Sequence, residues 1–507
     1  MTKRLRKSLK KTPFFEDLNR LAQKKGQRIY LVGGYLRDLI MHRSSQDIDF
    51  CVTARASDLA HKFAESMKDK FFFLDDLCGT ARVIHKDVDK VWELDFTNMR
   101  GGSIASDLAK RDFTIDALAM DLALLGNPRI IDPCGGLEDL RRGTVRAIGE
   151  GVFEDDPLRL LRAVRLEAIL GFRMDHKTQR LVPYYSGLLP RVSAERIRDE
   201  LFWIFASPQS HKHIDRLDKL GLLTKIIPEV ESLRGVGQPR LPSPSAQAHG
   251  GQEGFHHLPV WAHSLATLKH IDQILNDLEV FFPKFHSRIA THLEEVIADR
   301  QTRATLLKFS SLLHDIGKPP TQEVTPAGKV RFIGHEALGV DMVTKISERL
   351  RMSNRSIQII GRVIINHMRP GNLSHAKELT KRAIYRFFRD TDKEGVEVLL
   401  LSYADGLATQ GPLTTHQLRA RHKEVVLKML ASLYEETHVS QPPKLIDGKD
   451  LMAALSLPPG PIIGDLLNTV REAQAEGKVK NRAQALKFAR EQLQSCSILW
   501  HRNFNMS

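Results

Sequence analysis

Residues 29–52 read IYLVGGYLRDLIMHRSSQDIDFCV. Residues 29–34 are an apolar run ending in a glycine pair, which reads as a short buried strand, and YLRDLIM beyond it has the look of a helix start. DIDFCV at 47–52 is a second strand candidate. Side chains two apart in a strand point to one face, so Asp47 and Asp49 can jointly hold a hard cation through oxygen ligands. Gly33 and Gly34 let a backbone approach a phosphate closely, and the helix that follows turns unpaired N–H groups and a positive dipole end toward an anion. A DxD pair by itself is usually a solvated turn or cap, and a glycine pair by itself an ordinary strand-to-helix turn. The weight lies in their succession.

Working outward, FFFL at 71–74, ARVIH at 81–85 and VWELDF at 91–96 extend the β-rich section, and from about residue 150 a helical period takes over. The alternation in VWELDF puts Glu93 and Asp95 on one face, and Asp95 is expected as the third carboxylate of a two-metal site, with Glu93 in reserve. The expected fold class is α+β, a mixed β-sheet head followed by all-α regions. Residues 235–259 concentrate Pro, Gly and Ser and are read as a linker, and SQPPKLIDG at 440–448 is a second break. The expected organisation is a basic arm at 1–11, a head at 12–150, a helical neck at 151–234, the linker, a helical domain at 260–440 and a small helical tail at 441–507, with Gly477 as a helix stop.

Length and composition agree. The chain has 507 residues, 42% hydrophobic and 27% charged, which excludes wholesale disorder or a fibrous rod and leaves room for about three packed units. Lys and Arg number 75 against 61 Asp and Glu, a net charge of +14 that suggests a polyanionic partner such as nucleic acid. The surplus is uneven: residues 1–11 carry 6 cations and no acid, whereas residues 12–150 carry 20 basic and 22 acidic residues. Cys51, Cys78, Cys134 and Cys496 make no CxxC pair, which encodes neither a zinc ribbon nor a disulfide framework and fits a reducing cytoplasm. No apolar run reaches 18 residues and no signal-like stretch follows the basic arm, so neither secretion nor a membrane span is expected.

Six stretches, LVGGYLRD, DIDF, GGSIASDLAKRDFTIDALAMDL, IDPCGGLEDL, EDDPLRLLRAVRLEAILGF and SAERIRDELFWIF, resemble in order the head and neck motifs of the class II tRNA nucleotidyltransferase and bacterial poly(A) polymerase family. The resemblance implies a nucleotidyltransferase head with Mg2+ on Asp47 and Asp49 and a triphosphate contact from Arg111 and Asp112. It also implies nucleotide contacts from Gly33, Gly34 and Arg37, a hinge from Asp132-Pro133 to Gly136, and base recognition on the neck. There Asp156 and Arg159, three apart, are expected to share a helix face. A carboxylate accepts from the exocyclic amine of C or A while a guanidinium donates to the ring acceptor beside it, and the carbonyl that G and U present would be repelled. Arg162 and Arg165, one and two turns on, are expected to contact phosphate or buttress the pair. The implied activity is CCA addition to the tRNA 3′ end from CTP and ATP. A poly(A) polymerase, a CC-only or A-only enzyme, a phosphohydrolase with a degenerate RNA-binding head, and a purely structural RNA-binding protein are the rivals. Lys110, Asp116 and Asp155 depart from the family pattern, and Asp116 adds a negative charge near the nucleotide site.

A second constellation lies downstream. LLKFSSLLHDIGKP places His314 and Asp315 side by side at the end of an apolar helix, where both can reach one cation. With His263 in VWAHSLATLKHI and Asp405 in LSYADGLAT, the set resembles the metal-binding pattern of HD-superfamily phosphohydrolases. His335 in GHE and His367 in IINHMRP are candidates for a second metal or for phosphate. The resemblance implies a divalent cation of unspecified identity and hydrolysis of phosphate esters such as 2′,3′-cyclic phosphates on RNA ends. The bland alternative is a helical scaffold that binds tRNA. Oligomeric state is not legible.

Overall fold

A computed structural model describes residues 5, 6, 9, 12, 14–75, 79–87, 90–236, 258–326, 330–409 and 414–504. Most of the expected linker and of the basic arm therefore lies outside the described residues, as does Cys78. The chain divides into two compact units, residues 1–200 with 216–226 and residues 201–215 with 227–507. The expected neck, residues 151–234, contributes to both units. Its first helices pack with the head, and the segment 201–215 packs with the downstream helices, where Phe202 and Phe205 meet the ring of Phe309.

The first unit holds a seven-stranded mixed sheet of β1 (Ile29–Val32), β2 (Asp47–Val52), β3 (Lys70–Asp75), β4 (Thr80–Lys86), β5 (Val91–Asn98), β6 (Ala119–Asp121) and β7 (Ile130–Ile131), in the order β3-β4-β5-β2-β1-β6-β7. β2 and β5 are parallel and every other neighbouring pair is antiparallel. The strands read from sequence are all present. β6 and β7 were not anticipated, because runs of three and two residues are too short for alternation to register.

The period of two decides which residues face the core. Ile48, Phe50 and Val52 of β2, Trp92, Leu94 and Phe96 of β5, and Ala81 and Val83 of β4 enter one apolar core with the helices Phe14–Lys24 and Ala56–Met67. The Phe50 and Phe96 rings stack at 5.0 Å. The residues between them, Asp47 and Asp49, Glu93 and Asp95, and Arg82, are thereby turned to the opposite face. Leu5 and Leu9 are buried in the same core, so the basic arm also contributes packing.

Among its described residues the second unit is helical apart from two small hairpins, Val296–Ala298 with Gln301–Thr302 and Glu323–Val324 with Val330–Arg331. Val260–Asn276 packs on Arg303–Leu313 and Gly395–Ala408, and His335–Arg349 packs on Asn354–Asn366. Helices Gly448–Leu455, Pro461–Ala475 and Arg482–Phe504 close around their own core of Leu451, Leu466, Val470 and Ala485. Gly477 ends the second of these with φ of +79°, the expected stop.

Candidate functional site

In the first unit, β1 ends at Val32 and the helix Gly33–Ile40 begins at once, with no side chain capping its N-terminus. The Gly33 N–H donates to the Leu118 carbonyl at 3.4 Å, and the N–H groups after it are left without a side-chain cap, an arrangement compatible with an anion. Gly33 has φ of +74°, and a Cβ there would stand 2.8 Å from Oδ2 of Asp49 and 3.2 Å from a terminal nitrogen of Arg111. Only glycine lets the turn, the metal-type carboxylate and the arginine meet.

Register assembles the rest. Asp49 pairs with Asp95 and Asp47 with Glu93 across parallel β2 and β5, and Arg82 on β4 pairs with Asp95. The resulting row runs Arg111, Asp49, Asp95, Arg82. Burial, followed by the neighbouring charges of Asp47 and Asp95 and opposed by Arg111, pushes the Asp49 carboxyl up to about 6. Such crowding of carboxylates fits a site that a divalent cation relieves. Asp95 lies where expected, but both its oxygens accept from Arg82, at 2.7 and 2.8 Å, and Glu93 accepts from the same guanidinium at 2.7 Å. Arg82 was not singled out from the sequence, because nothing local says which strand neighbours β5.

Asp107 accepts from Arg100 at 3.1 Å and from Arg111 at 3.4 Å, which orients two cations beside the glycine turn. Arg37 donates to Asp116 at 2.6 Å and to both oxygens of Asp38 at 3.0 and 3.1 Å. The departure at Asp116 thus brings its own counterion, and Arg37 is engaged in this buried pair. Asp112 forms an ion pair with Arg162 at 2.9 Å. Burial would raise the Asp112 carboxyl, but Arg162 and the Phe113 N–H hold it below the usual range. Arg165 forms an ion pair with Glu200 at 3.0 Å, so the structure gives both arginines carboxylate partners outside the Asp156 and Arg159 pair.

The expected helix face shared by Asp156 and Arg159 is corrected. Asp156 is extended, with φ of −150° and ψ of 100°, and closes the short helix Val152–Asp155, while Arg159 opens the next, Arg159–Leu170. The cause is Pro157, whose ring disfavours helical geometry in the residue before it. Asp156 instead accepts both ends of Arg196, at 2.7 and 3.3 Å, and Arg159 donates to the carbonyls of Val152 and Lys110. Asp155 and Lys110 are exposed. Asp132 caps the helix Gly136–Arg142 through the N–H groups of Gly136 and Leu137, at 2.8 and 2.9 Å, which ties down the segment read as a hinge.

The second unit gathers all six downstream candidates. His263 lies 2.8 Å from Asp405, His314 lies 3.3 Å from Asp315, and His335 and His367 approach Asp315 at 3.6 and 3.9 Å. His263, His314 and Asp405 form one group with metal-ligand spacing, and His314, Asp315 and His367 another. His314, His335 and His367 each place Nδ1 on the carbonyl three residues earlier, of Ser311, Phe332 and Ile364, at 2.8, 2.8 and 2.6 Å. Their Nε2 atoms are buried without a hydrogen-bond partner. Nδ1 as donor leaves Nε2 as a lone-pair acceptor, the form that ligates metal. Leaving a buried polar atom unmatched costs about 1–3 kcal/mol, so three in one cluster fit a bound cation. Burial would lower His314, but Asp315 and Asp405 raise it, so its Nε2 becomes an acceptor when a cation displaces that proton; burial followed by the His314 charge pushes His367 down to about 4, which keeps it neutral, and burial of Asp315 is outweighed by His314 and Lys318, which hold it well below the usual range.

Gly317 is required here because a Cβ would collide with the carbonyl of His335, closing the HDIGKP turn onto the next helix. Lys318, in the quoted motif but unassigned from it, donates to Asp315 at 2.6 Å. A cavity of about 540 Å³ opens from Asp315, Lys318, His335 and Asp405 toward Phe332, Met368, Arg419 and His422. That is the size of small-molecule sites.

Comparison with known proteins bears on both units. A family model described as "Poly A polymerase head domain" matches residues 29–146, an HD domain model matches 260–410, and a tRNA nucleotidyltransferase domain 2 model matches 349–489. The chain is 30% identical over 466 residues to an A-adding tRNA nucleotidyltransferase of Deinococcus radiodurans, covering 90% of this chain and 94% of the other. It is 29% identical to a CC-adding tRNA nucleotidyltransferase of Geobacter sulfurreducens, covering 93% and 94%. The fold is similar to that of a Thermotoga maritima CCA-adding enzyme complexed with tRNA, at a TM-score of 0.60 and 19% identity over 95% of each chain. No helix among the described residues is long and apolar enough to cross a membrane.

Proposed function

This chain belongs to the tRNA nucleotidyltransferase family, and from that premise we propose that it builds the CCA end of tRNA, joining C, C and A to the 3′ terminus from CTP and ATP with release of pyrophosphate. It is a nucleotidyltransferase enzyme. The observation that carries the reading is the meeting of Gly33, Asp49 and Arg111 at the start of a helix that no side chain caps. Asp47 and Asp49 would hold Mg2+, which when bound neutralises triphosphate charge and favours attack by the primer hydroxyl. Arg111, oriented by Asp107, and the N–H groups after Gly33 bind and align the phosphates. Asp156, with Arg196 on two of its lone pairs, keeps acceptor capacity for the exocyclic amine of C or A, and Arg159 supplies the donor beside it.

A narrower reading has its own support, since both relatives named above span nearly the whole chain and are partial enzymes, one for A and one for CC. Incubating the purified protein with tRNA ending before CCA, after CC, or complete, with CTP and ATP supplied separately, distinguishes the three. For the second unit we propose a divalent cation on His263, His314, Asp315 and Asp405, with His335 and His367 on a second, and metal-dependent hydrolysis of phosphate esters in the adjoining cavity. Absence of metal-stimulated phosphatase activity in the parent protein would contradict this. Cytoplasm is the compartment that the unpaired Cys51 and Cys134 favour.

A further inference from the structure

The head presents four carboxylates on one face of adjacent strands, Asp47 and Asp49 on β2 and Glu93 and Asp95 on β5. Strands about 4.8 Å apart would let one cation draw on both. Arg82 stands on the other side of β5, and its Nε and Nη2 donate in parallel to the two oxygens of Asp95, at 2.7 and 2.8 Å, while Nη1 donates to Glu93 at 2.7 Å. Every hydrogen-bonding nitrogen of this guanidinium is thus directed at β5. The Asp95 side chain is only 17% exposed and that of Arg82 31%, so water screens the pair only partly. Bidentate arginine pairs are the strong ones, and a guanidinium keeps its charge at any working pH. A cation would have to displace the arginine from both oxygens of Asp95 to use it as a full ligand.

We propose that Arg82 withholds Asp95 and Glu93 from divalent cations and so limits the nucleotide-free head to the Asp47 and Asp49 pair. This rests on the reading that those two aspartates hold the cation. A two-carboxylate site leaves the remaining ligand positions to triphosphate oxygens and water, so cation and nucleotide enter together. Arg82 is a positioning residue that acts through Asp95 and Glu93.

The test is Mn2+ titration of the full chain without nucleotide, with free Mn2+ followed by electron paramagnetic resonance. The contribution of the second unit is common to all variants and drops out of the comparison. Arg82→Gln is expected to tighten head binding by roughly tenfold or more, because affinity for a hard divalent cation rises with the number of ligating charges. Adding Asp95→Asn and Glu93→Gln to that variant returns it to the parent affinity. A bridge that merely ties the strands together would lower the melting temperature of Arg82→Gln and leave Mn2+ affinity unchanged, which would overturn the proposal. Asp95→Asn with Glu93→Gln in the parent background keeps affinity within about twofold if both are withheld, whereas a loss of about tenfold or more would show them to be ligands and overturn it without relying on any Arg82 variant. Asp49→Asn serves as the separate check on the premise: unchanged head binding there removes the premise and the proposal with it, while weakened binding leaves the Arg82 result to stand or fall alone.

Discussion

The two metal-type sites of this chain are built on opposite plans. In the head, carboxylates project from a sheet face, Asp47 is exposed, and arginines flank the row. In the second unit, His263, His314, His335 and His367 and the carboxylate of Asp315 are buried, and three imidazoles have a fixed tautomer. Oxygen ligands in reach of water suit a hydrated Mg2+ that arrives with a nucleotide and leaves with pyrophosphate. Buried, orphaned imidazole nitrogens suit a resident metal that stays through turnover. Residue type and burial together, rather than either alone, separate an exchanging cation from a held one.

The sharpest way to break that contrast is to remove one side of it. Asp49→Ala should lower nucleotide incorporation by about 10³-fold or more, since losing a metal carboxylate removes several kcal/mol of transition-state stabilisation. The tightly held metal of the second unit, measured by elemental analysis after gel filtration, should be unchanged. Conversely, His314→Ala with Asp315→Ala should lose that metal and any metal-stimulated phosphatase while incorporation stays within about threefold, because the two sites lie in separate units. Incorporation that falls in step with metal content would mean that the sites are not independent.

Smaller effects refine the head. Asp116→Ala leaves the buried Arg37 short of its main partner, and breaking a buried pair on one side costs about 3–5 kcal/mol, reduced here because Asp38 still accepts from Arg37. A denaturant melt should show the loss, and Asp116→Asn should recover part of it. Gly33→Ala adds backbone strain of about 1–2 kcal/mol at a positive φ and crowds Asp49, so incorporation should fall by about tenfold or more with little change in RNA binding. Replacing the 6 cations of residues 1–11 by Gln, keeping Leu5 and Leu9 for the core, should lessen the salt dependence of tRNA affinity more than turnover at saturating tRNA. An unchanged salt slope would assign the arm to packing alone.

The sequence made the head strands legible because alternation over six to eight residues marks which side chains face the core. The same alternation put Asp47, Asp49, Glu93 and Asp95 on one face. It was silent on strand order, and strand order is what brings Arg82 to Asp95. Likewise, spacing three residues apart suggested a shared helix face for Asp156 and Arg159, and Pro157 carried the local information that overrides it. The histidines were readable as a set from HDIGKP and its neighbours. Their orphaned Nε2 atoms were not, since those depend on the ends of three helices, Arg303–Leu313, His335–Arg349 and Asn354–Asn366, meeting at one point. Arg196 shows the same divide, being an ordinary cation until the fold brings Asp156, 40 residues away in sequence, to it.

In the proposed reaction the head adds C and A to the tRNA 3′ end through Asp47 and Asp49. The most direct measurement offers labelled CTP and ATP to tRNA lacking CCA, to tRNA ending in CC and to unrelated RNA, with the parent protein and with Asp49→Ala. Addition should stop at CCA on tRNA and be abolished by the substitution. Long A tails on unrelated RNA, or incorporation that survives Asp49→Ala, would contradict it.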